Sequence, residues 1–175
     1  MKKTRTYLIY LAMALSTIVM IFKALRWSGE SGVELAQQEF LEHFTQRDWK
    51  ECHAMVAENY TDKWQFKRNE LSLLMQDFSR QFIIPPRAAW RTISISKNNK
   101  AYEINGILSF EGGTGPSSGI ILREVRTYTG LPFRFQWKQG NILPWSWQLE
   151  GIDHPTLELP SGYTPGRHRM LTVPF

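Results

Sequence analysis

Residues 133–153 read FRFQWKQGNILPWSWQLEGID and hold three of the chain's seven tryptophans. Phe133, Phe135 and Trp137 alternate with Arg134, Gln136 and Lys138; Trp145, Trp147 and Leu149 alternate with Ser146, Gln148 and Glu150. Period-two alternation rich in aromatics is the pattern of a half-buried strand. Two such runs around Gly140-Asn141 predict a β-hairpin, the wall against which the helices of the first half pack. A two-residue turn sets Trp137 against Pro144, whereas a three-residue turn places Phe135 by Trp145 and Phe133 by Trp147. Pro144 cannot donate to a ladder, so a bulge or a sheet edge is expected there.

Working back from the hairpin, period two persists. Ala89 to Ser96 and Ala101 to Phe110 are expected strands joined at Asn98-Asn99, residues that tolerate positive φ. That turn sets Ile95 opposite Tyr102 and Ile93 opposite Ile104, with Trp90, Thr92 and Ser94 on the other face. The stretch 111–119, EGGTGPSSG, is a loop: no Lys-Ser or Lys-Thr follows, and a strand rather than a helix comes next, so it is no phosphate cradle. A further strand is expected over 119–128.

Upstream the period changes to that of helices. Val33, Ala36, Phe40, Leu41 and Phe44 share a stripe on a first helix over 33–46, opposite Glu34, Gln38, Glu42 and Gln46. Asp48 reads as the N-cap of a short helix over 49–57, with Glu51 three residues on. Leu71, Leu74, Met75, Phe78 and Phe82 define a third helix that Asn69 caps and Pro85-Pro86 ends. Helices first and consecutive strands afterwards argue for an α+β domain. From Pro155 onward, four prolines and two glycines predict an irregular tail over 155–175.

The N-terminus differs from the rest. Lys2, Lys3, Arg5, Lys23 and Arg26 are five of the 21 Lys and Arg residues, and the remaining 16 meet 16 Asp and Glu. The globular part is therefore neutral, which excludes the clustered basic face that nucleic-acid binding needs. Residues 7–22, YLIYLAMALSTIVMIF, carry no charge. Continued to Leu25 as a helix they span about 28 Å, against a hydrocarbon core of about 30 Å, and Lys23 can snorkel. A membrane anchor over 1–27 with a polar linker at 28–32 is the leading reading. The charge bias then sets the N-terminus in the cytoplasm and the domain outside it. A cleaved signal peptide, with its site near Gly29-Glu30-Ser31, and a buried core helix are the alternatives. The single cysteine, Cys52, makes no internal disulfide and reads as a buried small hydrophobe.

Three stretches together resemble the nuclear-transport-factor-2-like (NTF2-like, or SnoaL-like) superfamily: EFLEHFTQRDWKECHAMVAENY, ELSLLMQDFSRQF and FRFQWKQGNILPWSWQLEGI. The resemblance covers about residues 33 to 153. It implies three helices packed on a curved antiparallel sheet of about five strands, closing a cavity, in a domain over 33–154. Members of that superfamily include small-molecule enzymes, non-catalytic binding domains and bitopic assembly proteins, and fold does not choose among them.

No metal or cofactor is expected, because His43, His53, His154 and His168 are scattered and no ligand motif is present. No catalytic constellation stands out. Asp153-His154 is a tempting pair, but successive strand residues point to opposite faces. Tyr60, Asp62 and Asp77 are the other candidates for a cavity carboxylate site. Tyr60, Trp64, Trp90, Phe135, Trp137 and Trp147 are the candidate lining of an apolar ligand pocket, with structural core as the competing reading. The leading expectation is a non-enzymatic domain, anchored through residues 7–25, that binds a small apolar ligand or a partner protein, a homodimer being one form of the latter. A structural subunit of an envelope assembly and a small-molecule isomerase or hydrolase are the alternatives.

Overall fold

A computed structural model of the chain describes residues 2–99, 101–115, 130–141, 143–159 and 162–167, with side chains from Tyr10 onward. Four helices precede four strands: α1 (Lys2–Arg26), α2 (Gly29–Gln46), α3 (Trp49–Ala54), α4 (Arg68–Ser79), β1 (Arg87–Asn98), β2 (Ala101–Glu111), β3 (Phe133–Gln139) and β4 (Trp147–Asp153). The strands form one antiparallel sheet in the order β1-β2-β3-β4. Helices on one face of an antiparallel sheet make an α+β architecture consistent with the NTF2-like cone. The sheet has four strands among the described residues rather than about five; the strand expected over 119–128 lies outside them.

The alternation in β3 is realised: Phe133, Phe135 and Trp137 are buried, while Arg134, Gln136 and Lys138 are exposed. Its partner strand takes neither expected register. Gln139 pairs with Trp147 and Trp137 with Leu149, so Gly140 to Ser146 form a long loop instead of a tight turn. Pro144 and Trp145 lie in that loop. The β3–β4 register shifts at Gln136/Trp137, where Gly151 follows Leu149 as the next paired residue of β4, so the bulge sits at Glu150 and not at Pro144.

The β1–β2 register also departs from expectation. Ile95 faces Ile104 and Lys97 faces Tyr102, with Asn99 in the turn at φ 55°. The slip is two residues, which keeps every side chain on its face. A second departure does change faces. A bulge at Ile93 leaves Thr92 opposite Gly106 and Trp90 opposite Leu108, so Trp90 and Thr92 turn to the core side of the sheet and Ile93 is left exposed.

α2 buries Val33, Ala36, Gln37, Phe40 and Leu41 against this sheet. The polar linker expected at 28–32 is instead the first turn of α2, with Gly32 buried. A Cβ on Gly32 would stand 2.0 Å from the Trp27 carbonyl oxygen, so only glycine allows the chain to turn that tightly between α1 and α2. Asp48 stands at the N-cap of α3 without a side-chain cap bond; its carboxylate lies 3.6 Å from His43 Nδ1. α4 starts at Arg68, and Glu70 accepts the Lys67 N–H at 2.8 Å. Asn69 does not cap; its Oδ1 meets His53 Nε2 at 3.0 Å. Arg47, in the left-handed region at φ 61°, ends α2 and donates to the Ser79 and Phe82 carbonyls at 2.9 and 2.6 Å, tying α2 to the end of α4.

α3 ends at Ala54 rather than Ala57, because the chain there turns extended along the outer edge of β4. The Ala57 N–H donates to the Leu149 carbonyl at 2.9 Å, Thr61 N–H to Glu150 and Lys63 N–H to Ile152. This edge of the sheet is covered. α1 meets α2 at 88°, and among the described residues no single helix is long and apolar enough to cross a membrane; the two pass that measure only as a bent pair.

Candidate functional site

Among the described residues, β1 has β2 as its one strand neighbour. Between β1 and the flank of α2 lies a groove of about 800 Å³ lined by Leu41, Thr45, Arg87, Ala88, Ala89 and Trp90, among others. Its floor is closed by one hydrogen bond across the elements, the Ala88 N–H donating to Thr45 Oγ1 at 3.2 Å, while that hydroxyl donates to the Leu41 carbonyl at 2.9 Å. Ala88 and Ala89 are small, which leaves the space open. Gln38, Glu42, Arg87 and Glu111 put polar and charged groups of both signs around it.

Trp90 closes one end. Its ring lies against Gly106 and stands edge-on to Phe135 with centroids 5.3 Å apart. Its indole N–H donates to Thr92 Oγ1 at 3.1 Å, and that hydroxyl donates to Glu34 Oε1 at 2.8 Å. The bulge at Ile93 makes this arrangement, since without it Trp90 would face away from α2.

The other residues expected to line an apolar pocket are distributed differently. Tyr60, Phe135, Trp137 and Trp147 are buried and belong to one packed core with Phe40, Ile104 and Leu149. Trp137 meets Phe40 edge-on at 6.0 Å, and Tyr102 meets Trp147 likewise at 5.4 Å. Trp64 stands apart, its indole donating to the Leu157 carbonyl at 3.1 Å. Of the six, Trp90 alone is in the lining of the groove.

Gln37 falls between Val33 and Phe40 on the inward stripe of α2, where its polarity hides it in the sequence. It is buried, and its Oε1 accepts the Trp137 indole N–H at 2.8 Å. Its Nε2 has no hydrogen-bond partner among the described residues.

The buried acids hold chain rather than face open space. Asp62 Oδ1 accepts the N–H groups of Trp64 and Phe66, both at 2.9 Å, and Oδ2 accepts the Tyr60 hydroxyl at 3.2 Å. Burial raises the Asp62 pKa, against these hydrogen bonds, which lower it. Burial, and then the Asp62 charge, pushes the Tyr60 hydroxyl up. Asp77 Oδ2 accepts the Tyr163 hydroxyl at 3.0 Å and the Gly166 N–H at 2.7 Å, and Oδ1 meets Arg80 Nη1 at 3.3 Å. Burial first, and then Asp77, raises the Tyr163 pKa. These bonds, with Lys63 Nζ donating to the His154 carbonyl at 2.8 Å and pairing with Glu158 at 3.0 Å, lay the described part of the tail over the domain.

Asp153 and His154 diverge. Asp153 lies 4.0 Å from Arg134 on the outer face. His154 is fully buried, packs on Phe133 at 4.4 Å between centroids, and accepts the Leu157 N–H on Nδ1 at 2.9 Å. Cys52 is buried, and its thiol is pushed up to about 12 by that burial, with the Asp48 charge adding to it. A thiol so placed is inert. Among the described residues no group of three His, Cys, Asp or Glu is placed to hold a metal ion. Arg167 is described, whereas His168 and Arg169 lie outside the described residues.

No family model matches the sequence, and no curated protein matches it. Solved structures do share the fold. A conserved protein from Planctomyces limnophilus superposes with TM-score 0.51 at 12% identity, covering 69% of this chain and 89% of that one. Bdellovibrio bacteriovorus Bd1075 gives TM-score 0.52 at 4% identity over 74% of this chain, which spans 41% of that protein. Identities this low speak to fold alone.

Proposed function

We propose that the chain is a membrane-anchored, non-enzymatic NTF2-like domain, held outside the cytoplasm, that takes an extended segment of a partner protein into the groove between α2 and β1. The observation that carries the binding reading is the asymmetry of the sheet edges. β4 is covered by residues 55–63, whereas β1 borders a groove of about 800 Å³. A strand edge offers backbone donors and acceptors to an extended chain, and side-chain pockets beside it supply selectivity. The mixed lining suits a peptide better than a purely apolar small ligand.

Anchoring is supported by α1. Leu11, Met13, Leu15, Ile18, Val19, Met20, Ile21 and Phe22 are all exposed, and at 100° per residue they lie around the whole helix. A helix apolar on every side is matched by lipid rather than by one partner face. Its 25 residues make about 37 Å. The bases Lys2, Lys3 and Arg5 before the apolar run favour a cytoplasmic N-terminus. The buried acids and His154 spend their hydrogen bonds on the chain itself, which supports binding over turnover.

The test is a photo-crosslinking residue at Gln38, in the groove, and one at Gln148, on β4, each in the full chain in its native cells. A discrete adduct from Gln38 that Ala89→Arg abolishes, with none from Gln148, is the expected result. Monomer alone from Gln38 removes the partner reading. Turnover of a small molecule that disappears in a folded Asp62→Asn variant would replace it with the enzyme reading.

A further inference from the structure

We infer that the β3–β4 loop, through Leu143 and Trp145, is a second lipid contact seated in the headgroup layer, so that the domain rests on the bilayer in one orientation. The inference rests on the anchoring of α1 proposed above. It begins from the join between α1 and the domain, which is held by several contacts. The Trp27 N–H donates to the Lys23 carbonyl at 3.0 Å, continuing the helix to the corner. At that corner the Trp147 indole donates to the Trp27 carbonyl at 3.1 Å, and Trp27 packs on the core. Gly32 fills the inside of the bend, where a Cβ would strike the Trp27 carbonyl. A helix fixed this way carries the domain at a set angle.

The element that this geometry brings beside the end of α1 is the loop. Lys23 Nζ lies 5.0 Å over the Trp145 ring. Lys23 is the first charge after the apolar run, so it marks the depth at which headgroups begin, and Trp145 shares that depth. Tryptophan and lysine are the side chains that settle at this level, one for its amphipathic ring and the other by snorkelling. Leu143 is 46% exposed beside them, and Phe22 and Leu25 of α1 are 70% and 67% exposed. Exposed apolar side chains are thus present both at the end of α1 and on the loop.

The loop is also built to enter a medium of low polarity. Such entry is costly for backbone groups left without partners. Here the Gly140 N–H donates to the Ser146 carbonyl at 2.6 Å and the Ser146 N–H to the Leu143 carbonyl at 3.0 Å. The Asn141 N–H donates to Ser146 Oγ, and the Leu143 N–H to Asn141 Oδ1, both at 2.8 Å. Pro144 has no N–H to satisfy. Four backbone N–H groups of the described loop residues are thus satisfied within the loop, and Leu143 is exposed.

The experiment uses the full chain with Cys52→Ala, reconstituted in vesicles of phosphatidylcholine with a minority of phosphatidylglycerol. A nitroxide is placed in turn at Ile18→Cys in α1, Leu143→Cys in the loop and Asn98→Cys at the far end of β1. Collision with oxygen against a water-soluble nickel chelate reports depth. The expected order of the oxygen-to-nickel ratio is Ile18 highest, Leu143 several-fold above Asn98, and Asn98 as in water. A lipid-facing Ile18 with Leu143 equal to Asn98 overturns the loop contact and leaves the anchor. A water-exposed Ile18 overturns the anchor and the loop contact together. A Leu143 label shielded from both reagents puts the loop in a protein interface and overturns the lipid assignment.

Discussion

Trp137 donates its indole N–H to the Gln37 side-chain oxygen at 2.8 Å, joining two buried residues 100 positions apart. The bond ties α2 to the centre of the sheet. Gln37→Met removes the acceptor and leaves that N–H buried without a partner, which costs about 1–3 kcal/mol, offset in part because the unpartnered Nε2 goes too. Urea denaturation should show a net loss of about 1 kcal/mol and a coupling of similar size with Trp137→Phe in a double-mutant cycle. Additive single effects would remove the bond from the account of stability.

Asp62 organises the turn from Thr61 to Phe66. Asp62→Ala leaves two N–H groups and the Tyr60 hydroxyl without an acceptor, a loss of about 2–3 kcal/mol. Asp62→Asn keeps Oδ1 as acceptor and should stay within about 1 kcal/mol of the parent. The pH dependence separates them further. Burial raises the folded pKa of Asp62 above its ordinary 3.8, so the folded state holds the proton more firmly than the unfolded one. The stability from this group is complete below 3.8 and declines as pH rises through the folded value. Asp62→Asn should flatten that part of the stability–pH curve, and an unchanged curve would show that Asp62 is not its source.

Asp77 holds the tail through the Tyr163 hydroxyl and the Gly166 N–H. Asp77→Ala should release residues 162–167 without unfolding the sheet. Limited digestion with chymotrypsin would then cut after Tyr163 several-fold faster than in the parent. Cleavage at the parental rate would mean that Lys63 and Trp64 suffice to hold the tail.

Gly106 makes room for Trp90. A Cβ at 106 would lie 2.4 Å from Trp90 Cζ2 and 2.7 Å from the Arg91 carbonyl oxygen. Gly106→Ala should therefore cost about 1–3 kcal/mol by overpacking, and Trp90→Phe in the same chain should recover part of it. Thermal denaturation of the single and double variants checks this. No recovery would trace the cost to the Arg91 backbone alone.

The parts of this protein readable in the chain are those where neighbours in sequence are neighbours in space. Phe133, Phe135 and Trp137 declare a strand face because side chains alternate every residue. Val33, Ala36 and Phe40 declare a helix face in the same way, and the uncharged run over 7–22 sets α1 apart from the rest. The bulge at Ile93 was not legible, because Ile93 continues an ordinary alternation and only pairing with β2 shows that it is the extra residue. Gly140-Asn141 reads as a tight turn locally, yet the partner register of Trp147 opens it into a loop that stands by Lys23. Gln37 looks like one more polar helix residue until Trp137 is brought against it. The groove and the covered β4 edge belong wholly to the tertiary structure. Each is made by elements distant in sequence, and their contact depends on which side chains fill the core together rather than on any local pattern.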